Sequence, residues 1–374
     1  MVDERNVIIC DLIENGVVSR RAGSGFPYHG WPSVARIGDD KLGVVASAFR
    51  IDHLCPFGKV VMLVSNDEGA SWSVPLVVAD TILDDRDAGI CRMDDGSLVL
   101  NWFNLDKKYY YPPHDFIKYY KNTMPKNKYN LCKSYIESIN DEVNKIICGS
   151  YVKKSIDGGY TWSNPVKVPL TSPHGPAQLS DGSLLYIGKE FDIKEGDGDI
   201  LVYKSADGGY NWQPLSKLPI PESASKANFF EPYAIQADDG RILCHIRFQD
   251  YKNETKYGKF TIFQTVSKDC GVNWSLPESL GVCGSPPHII KHSGGAYVCV
   301  FGRREKPYGQ RAIISRNNGS TWETEVILRD DGFNSDLGYP ASVELKDGSI
   351  LTVYYQALNK DEATSILYTK WRLP

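Results

Sequence analysis

The chain has 374 residues with 33 Gly, 21 Pro and 22 Tyr, a usage typical of a turn-rich β protein. Its formal net charge is −4 and its pI is about 6.0, which argue against a nucleic-acid-binding protein that works through bulk electrostatics. No run reaches the roughly 18 apolar residues of a membrane span, so we expect no transmembrane helix and no membrane partner.

The N-terminal stretch MVDERNVIIC begins with acidic residues and lacks the long apolar segment of a signal peptide. The nine Cys residues contain no C-x-x-C pair, and most lie in apolar runs, as Cys91, Cys244 and Cys299 do. We therefore expect free, reduced thiols and a cytoplasmic protein. The sequence has no phosphate-binding loop, zinc motif or serine nucleophile elbow, so neither a metal nor a cofactor is predicted.

Taken in chain order, six segments share one pattern: an apolar run, a turn with Asp-Gly, Gly-Gly or a similar pair, and a second apolar run. This pattern is typical of a β-hairpin, because such turns match the twist of two paired strands. The six copies are VARIGDDKLGVVASAF, ICRMDDGSLVLNWF, AQLSDGSLLYIGK, AIQADDGRILCHIRF, HIIKHSGGAYVCVF and SVELKDGSILTVYY.

A second motif, S-x-D/N-x-G-x-x-W, follows each of the first five hairpins. The Asp or Asn can bond nearby backbone, the Gly permits positive φ and the Trp anchors the turn. A hairpin joined through such a box to two further strands makes a four-stranded unit. Six units predict an all-β, six-bladed β-propeller that forms a single domain over residues 1–374, with NVIICDLI as the outer strand of the last blade. The boxes begin at Ser65, Ser155, Ser205, Ser267 and Ser315.

An insertion over about residues 104–150 interrupts the repeat in the second blade. Its apolar residues recur at helical spacing, so we expect a short helix there. The insertion could cap a pocket, form a contact in a homo-oligomer, or be a solvated decoration. The residues of the pattern are Leu131, Tyr135, Ile136, Ile139, Val143 and Ile146.

Polar residues recur at matching distances from the hairpin turns, both where the first strand of each hairpin starts and where the second ends. Equivalent positions of a propeller lie near the same end of its channel, so both sets are candidates for one binding or catalytic mouth. The start positions hold Asp87, His174, Glu231, His288 and Tyr339, with the stretch HGWP and its Trp31 in the first blade. The end positions hold Arg50, Trp102, Lys189, Arg247, Arg303 with Arg304, and Tyr355 with Gln356.

The residues at the start and end positions are suited to binding and cleaving an acidic sugar. The arginines and Lys189 would make the mouth cationic and suited to a carboxylate, while Trp31 and Trp102 could serve as platforms for a sugar ring. Tyr339 is a candidate nucleophile if the Glu231 carboxylate takes its proton. Asp52 or His53, in the loop after Arg50, could protonate a leaving group.

The boxes and hairpins resemble those of the sialidase (neuraminidase) superfamily, over nearly the whole chain apart from the insertion. By that resemblance, FFEPYAIQADDGRILCHIR implies Glu231 as the partner of the nucleophile and Arg247 as a carboxylate-binding arginine. LGYPASVELKDGSILTVYY implies Tyr339 as the nucleophile. VFGRRE implies Arg303 or Arg304 as a second binding arginine, with Arg311 as a rival, and AFRIDHLCPFGK implies Asp52 as the acid/base.

The first blade departs from the family pattern, because HGWPSVARI places Gly30 where the family has the arginine of an Arg-Ile-Pro motif. The expected function is an exo-acting glycoside hydrolase that cleaves a terminal, sialic-acid-like sugar from a carbohydrate substrate. Two alternatives stay open. One is a non-catalytic sugar-binding propeller, and the other is a polysaccharide or oligouronate lyase that uses His174, His288 and Tyr339 as base and acid.

Overall fold

Six β-sheets form the framework of residues 6–191 and 197–374, which the computed structural model describes. Two strands precede the first hairpin, β1 (Asn6–Ile9) and β2 (Asp11–Ser19). The first blade contains β3 (Tyr28–Arg36), β4 (Leu42–Arg50), β5 (Lys59–Ser65) and β6 (Leu76–Ala79). The second contains β7 (Asp84–Arg92), β8 (Leu98–Leu105), β9 (Ser150–Ser155) and β10 (Val166–Val168).

The third blade contains β11 (Leu170–Thr171), β12 (Ala177–Gln178), β13 (Leu184–Glu190), β14 (Ile200–Ser205) and β15 (Gln213–Lys217). The fourth contains β16 (Phe229–Gln236), β17 (Ile242–Gln249), β18 (Phe260–Ser267) and β19 (Glu278–Ser279). The fifth contains β20 (Pro287–Lys291), β21 (Tyr297–Arg303), β22 (Gly309–Ser315) and β23 (Thr324–Arg329). The sixth contains β24 (Gly338–Glu344), β25 (Ile350–Gln356) and β26 (Ser365–Arg372).

All six predicted hairpins form, as the antiparallel pairs β3–β4, β7–β8, β12–β13, β16–β17, β20–β21 and β24–β25. The prediction of a six-bladed β-propeller is therefore confirmed. The N-terminal strands close the ring in a way that the sequence indicated only in part. β2 pairs antiparallel with β26 and completes the sixth blade, whereas β1 pairs in parallel with β23 and adds a fifth strand to the fifth blade.

Each box is a turn held by its own side chains. In the second copy, Ser155 Oγ donates to Asp157 Oδ1 at 2.8 Å and accepts from the Gly159 N–H at 2.9 Å, while Trp162 Nε1 donates to the Gly159 carbonyl at 3.0 Å. The indole rings of all five boxes pack against apolar clusters, most of which combine strands of two neighbouring blades. The boxes thus anchor the blades to one another. These rings belong to Trp72, Trp162, Trp212, Trp274 and Trp322.

The insertion is helical, as expected, but it consists of a 3-10 turn at Lys107–Tyr110 followed by α1 (Phe116–Thr123), α2 (Lys126–Ser138) and α3 (Asp141–Ile147). The predicted helical pattern is divided between α2 and α3, because the Asn140 side chain caps the start of α3. Cys132 and Ile136 are buried with Ile51 and Cys55, so the insertion packs on the loop that follows β4. Among the described residues, no helix has the length and apolar character that a bilayer span requires.

Candidate active site

Five of the six blades carry a residue with positive φ where the innermost strand starts. At four of these positions, the exception being His174, a β-bulge interrupts the pairing with the second strand. A bulge changes the direction in which a side chain points. A positive φ at a non-Gly residue costs free energy, and such strained residues are common in active sites. The five residues are Trp31 (53°), Asp87 (50°), His174 (72°), Glu231 (46°) and Tyr339 (47°).

Two of these residues form a hydrogen-bonded set with an arginine. The Tyr339 hydroxyl donates to Glu231 Oε1 at 2.5 Å, and Arg247 Nη1 donates to Glu231 Oε2 at 2.6 Å and to the Tyr339 oxygen at 3.0 Å. Burial raises the pKa of Tyr339 well above its ordinary value, and the Glu231 carboxylate raises it further, so the phenol is protonated at neutral pH. A carboxylate placed to take that proton makes the phenol oxygen a possible nucleophile.

Tyr339 faces a cavity of about 460 Å³ that we call the arginine lobe. Three guanidinium groups line it, and so do two carboxylates from loops. Arg304 donates from Nε to the Leu337 carbonyl at 2.9 Å and from Nη2 to the Tyr355 hydroxyl at 2.8 Å, and its guanidinium lies 5.4 Å from the centre of the Tyr339 ring. The charged lining residues of the arginine lobe are Arg86, Arg247, Arg304, Asp52 and Asp336, with His53 beside them.

A second cavity of about 400 Å³, the aromatic lobe, shares Arg86 and Tyr339 with the first, so the two lobes meet at the phenol. Three of its lining residues come from the helical part of the insertion, which therefore forms a wall of the site. Lys189 also lines it, with Nζ donating to the Lys226 carbonyl at 2.8 Å, and burial lowers its pKa to about 8. The aromatic lining residues are Phe103, Tyr109, His114, Phe116 and Phe230.

Asp87 lies at the junction of the aromatic lobe with Glu231 and Tyr339. Its side chain is buried, and its Oδ1 has no hydrogen-bond partner in the described protein. Burial raises the pKa of Asp87 to about 6, with Arg86 opposing the rise and Glu231 adding to it. An unpartnered buried carboxyl oxygen beside a cavity is placed to meet a substrate hydroxyl or a water molecule.

Several predicted binding residues do not line either lobe. Arg50 is completely buried, and both of its Nη atoms donate hydrogen bonds to Asp84. This ion pair holds the end of β4 to the second blade. Trp102 is buried between the first two blades, where its Nε1 donates to Asp85 Oδ1 at 3.0 Å and its ring stacks on Tyr151. The structure therefore corrects the expectation that Arg50 and Trp102 contact the substrate.

Of the three candidates for a second binding arginine, Arg303, Arg304 and Arg311, only Arg304 lines the arginine lobe. Arg311 is buried on β22, where its Nη1 donates to the Gln310 carbonyl at 3.0 Å and its Nε lies 3.7 Å from Glu325. Arg303 donates to the Lys306 carbonyl at the end of β21. The expected binding roles of Arg303 and Arg311 are not supported by their positions.

The two candidate histidines, His174 and His288, are buried beside each other with ring centroids 5.0 Å apart. Neither lines a lobe. His288 stacks on Tyr233, and the His174 ring lies 6.4 Å from the ring of Tyr339. Burial lowers the pKa of His288 to about 3 and that of His174 well below its ordinary value. Both are therefore neutral, internal side chains rather than groups exposed to a substrate.

Sequence reasoning missed Arg86, which precedes Asp87, and Asp336, which lies three residues before Tyr339. Arg86 covers the Trp31 ring at 4.3 Å, so Trp31 supports this arginine instead of offering a free ring face. The presence of a glycine at position 30 also has a structural reason. A Cβ atom there would lie 3.2 Å from the Tyr28 ring, which fills the space. Arg86 adjoins the predicted Asp87, and Asp336 lies within three residues of the predicted Tyr339, so closeness in the sequence was the available signal.

Over residues 6–191 and 197–374, no cluster of three or more His, Cys, Asp or Glu side chains could hold a metal ion. Residues 125–353, more than half of the chain, match the family described as BNR repeat-like domain. The chain belongs to the BNR repeat-like family. Its fold is that of a sialidase-like superfamily propeller, which confirms the resemblance found in the sequence.

Solved structures similar to this BNR repeat-like protein include a Dyadobacter fermentans protein of unknown function, with a TM-score of 0.76, 19% identity, and coverage of 97% of this chain and 99% of that chain. NanB sialidase from Streptococcus pneumoniae has a TM-score of 0.66 at 13% identity, over 97% and 71% of the two chains. Penicillium chrysogenum α-L-arabinanase has a TM-score of 0.63 at 13% identity, over 96% and 98%. Such identities show the fold alone. No curated protein matches the sequence significantly.

Proposed function

We propose that this protein is an exo-acting glycoside hydrolase of the sialidase-like type, which removes a terminal acidic sugar from a glycoside. The observation that carries the proposal is the hydrogen-bonded set of Tyr339, Glu231 and Arg247 at the meeting point of two lobes. A lobe of about 460 Å³ has the size of a small-ligand site. The coarser assignment, a glycoside-hydrolase-like propeller, agrees with the similar structures.

In the proposed reaction, the Tyr339 oxygen forms a bond to the anomeric carbon while its proton passes to Glu231. The bond from that carbon to the leaving oxygen breaks, and Asp52 or His53 gives the leaving oxygen a proton. Water then attacks the same carbon and gives a proton to the acid/base. At the same time the bond from that carbon to Tyr339 breaks, and the tyrosine oxygen regains its proton from Glu231. A neutral phenol avoids the repulsion that a carboxylate nucleophile would meet beside a substrate carboxylate.

The acidic sugar is proposed because Arg86, Arg247 and Arg304 line one lobe. Guanidinium groups are suited to bidentate capture of a carboxylate. Arg86 has protein hydrogen bonds only through Nη1, to the His53 carbonyl and to Asp84, so its other N–H groups have no acceptor in the described part of the chain. These groups could bind a substrate anion.

The proposal is tested with methylumbelliferyl glycosides of N-acetylneuraminic acid, glucuronic acid, galactose and arabinofuranose, with fluorescence as the measure of turnover. We expect release from an acidic sugar. Turnover of neutral sugars alone would support a second candidate, a neutral-sugar hydrolase. The carboxylates of Asp52, Asp87, Glu231 and Asp336 favour that candidate, since over both lobes they balance the three arginines and Lys189. Binding without turnover would indicate a sugar-binding propeller.

A lyase gains no support from the structure. In that alternative, His174 and His288 would have to exchange protons with the substrate, but both are buried and neither lines a lobe. A lyase would also leave an unsaturated sugar whose ultraviolet absorbance distinguishes it from a hydrolysis product. An oligouronate without an aryl group, monitored for that absorbance, tests this alternative.

Replacing Arg304 by alanine should weaken binding of an acidic sugar by roughly 1.5–3 kcal/mol, because a charge-assisted hydrogen bond to the carboxylate is lost. Binding of a neutral sugar should change much less. Isothermal titration with both ligands measures the difference. Arg303→Ala is the matched control, since Arg303 is the adjacent arginine and lines neither lobe. Equal losses for acidic and neutral sugars would contradict the role of Arg304 in anion binding.

A further inference from the structure

A cluster of hydrogen bonds beside Tyr339 has a loop carboxylate at its centre. Asp336 Oδ1 accepts from His53 Nδ1 at 2.9 Å, from the Tyr28 hydroxyl at 3.0 Å and from the Tyr355 hydroxyl at 3.1 Å. The three donors come from the first and sixth blades and from the loop after β4. Burial opposes ionisation of Asp336, but the hydrogen bond from His53 and the charge of Arg304 prevail and lower its pKa. Asp336 is therefore an ionised, acceptor-only group.

This carboxylate fixes the orientation and the tautomer of His53. Since Asp336 can only accept, Nδ1 of His53 carries the proton of their hydrogen bond. The ring stands edge-on to Trp31, with centroids 4.9 Å apart, and the side chain is 41% exposed in the arginine lobe. Within the described part of the chain, Nε2 has no hydrogen-bond partner. Nε2 is thus left free for a substrate.

Asp52, the other candidate acid, is bound differently. Its Oδ1 accepts from the backbone N–H of His53 at 2.7 Å, so one of its oxygens closes the turn that presents the histidine. Both side chains line the arginine lobe. The His53 ring is fixed from two directions, by Asp336 and by Trp31, whereas the hydrogen bond of Asp52 is made within its own loop.

We infer that His53 is the catalytic acid/base of the proposed hydrolase, with Asp336 as its positioning residue. This inference rests on the proposed function. As the bond between the anomeric carbon and the leaving oxygen breaks, the Nε2 proton of the imidazolium passes to that oxygen. In the second step Nε2 takes a proton from the attacking water, whose oxygen bonds to the anomeric carbon while the bond to Tyr339 breaks. His53 ends the cycle protonated, as it began.

The charges around His53 set the expected pH dependence. Burial lowers its pKa, Asp336 raises it, and Arg86 and Arg50 lower it, with the Tyr28 hydroxyl and Asp52 as the remaining titratable neighbours. The balance lies below the ordinary histidine value of about 6.5. The first step needs the protonated ring, so kcat/KM should fall as the pH rises through a value under about 6.5.

The test compares two substrates with the same sugar, one with a methylumbelliferyl leaving group and one with a methyl group. The aryl group leaves with little help from an acid, whereas the alkyl group needs a proton. We expect His53→Gln to lower kcat/KM on the methyl glycoside by about 10²- to 10⁴-fold and on the aryl glycoside far less. The alkaline limb that the wild-type protein has on the methyl glycoside should disappear in this variant.

Asp336→Asn should move the alkaline limb to lower pH, because removal of the anion lowers the pKa of His53. A purely structural role for Asp336 would lower activity without moving the limb. Asp52→Asn is the comparison at the other candidate acid. Any activity that it loses, as a lining residue of the arginine lobe, should be lost equally on the two substrates, and the alkaline limb on the methyl glycoside should persist. Circular dichroism of each variant shows that the fold is retained.

The inference would be overturned if Asp52→Asn lost activity mainly on the methyl glycoside and His53→Gln did not. The proposed hydrolase would then remain intact. The same holds if Asp87→Asn, rather than His53→Gln, removes the alkaline limb. Absence of turnover by the wild-type protein on every glycoside would instead refute the proposed function, and the role of His53 with it.

Discussion

Replacing Tyr339 by phenylalanine is expected to lower kcat on the best glycoside by about three orders of magnitude or more, because the atom that would bond to the anomeric carbon is removed. Binding should survive, since the ring keeps its contacts with Arg304 and Trp31. Single-turnover kinetics measure the chemical step, and isothermal titration measures the dissociation constant.

Glu231→Gln is the companion variant. It should also lose activity, because an amide cannot take the phenol proton, although it keeps a similar shape beside Arg247. Tyr354→Phe is the control, since Tyr354 is a buried tyrosine of the same blade whose hydroxyl bonds to Arg329 and Thr369 and which lines neither lobe. Turnover of Tyr339→Phe close to that of the wild-type protein would rule out the tyrosine as nucleophile.

Replacing Arg50 by methionine is expected to lower the free energy of unfolding by about 3–5 kcal/mol, a loss typical of breaking a buried ion pair. The side chains of Arg50 and Asp84 are both 0% exposed, so Asp84 would remain as a buried charge with only Arg86, at 3.3 Å, to offset it. Urea denaturation followed by tryptophan fluorescence measures the change.

Arg303→Met is the control for this experiment and should have a small effect, because Arg303 has no ion pair in the described part of the chain. The double variant Arg50→Met with Asp84→Leu should recover part of the stability, since an apolar pair no longer leaves an uncompensated charge. If Arg50→Met were as stable as Arg303→Met, the buried pair would contribute nothing measurable to the fold.

The fold and the start positions could be predicted from the sequence because both follow from the turns. Each Asp-Gly or Gly-Gly turn fixes a hairpin, and counting back from it reaches Asp87, Glu231 and Tyr339. The structure gives all three a positive φ and places them together at the aromatic lobe. The backbone bulges that turn these side chains inward have no separate signal in the sequence.

The end positions were less predictable, because they depend on the register between paired strands. The residue before Glu231 pairs with Arg247, and the residue before Asp87 pairs with Phe103. Trp102 lies one residue from Phe103, so it points to the other face of its sheet. In the first blade, the residue before Trp31 pairs with Ser47, which leaves Arg50 three residues beyond the site. Bulges change these distances, so counting from the turn alone fails.

The roles of Arg86 and Asp336 could not be read from the sequence for a different reason. Both act through contacts between separate blades or loops, such as Arg86 with Trp31 and Asp336 with His53. No repeat places such residues, because each depends on how neighbouring units face one another. The sequence therefore predicted residues close to Arg86 and Asp336 along the chain, but it did not predict the contacts that these two side chains make in the folded protein.

The sixth sheet joins the strand that carries Tyr339 to a strand from the opposite end of the sequence, in the order β2-β26-β25-β24. The complete sixth sheet can therefore form only after the residues up to Arg372 have been synthesised. In the proposed hydrolase, the position of Tyr339 would then depend on pairing by residues 11–19, and an affinity tag that hinders this strand should lower turnover without touching either lobe.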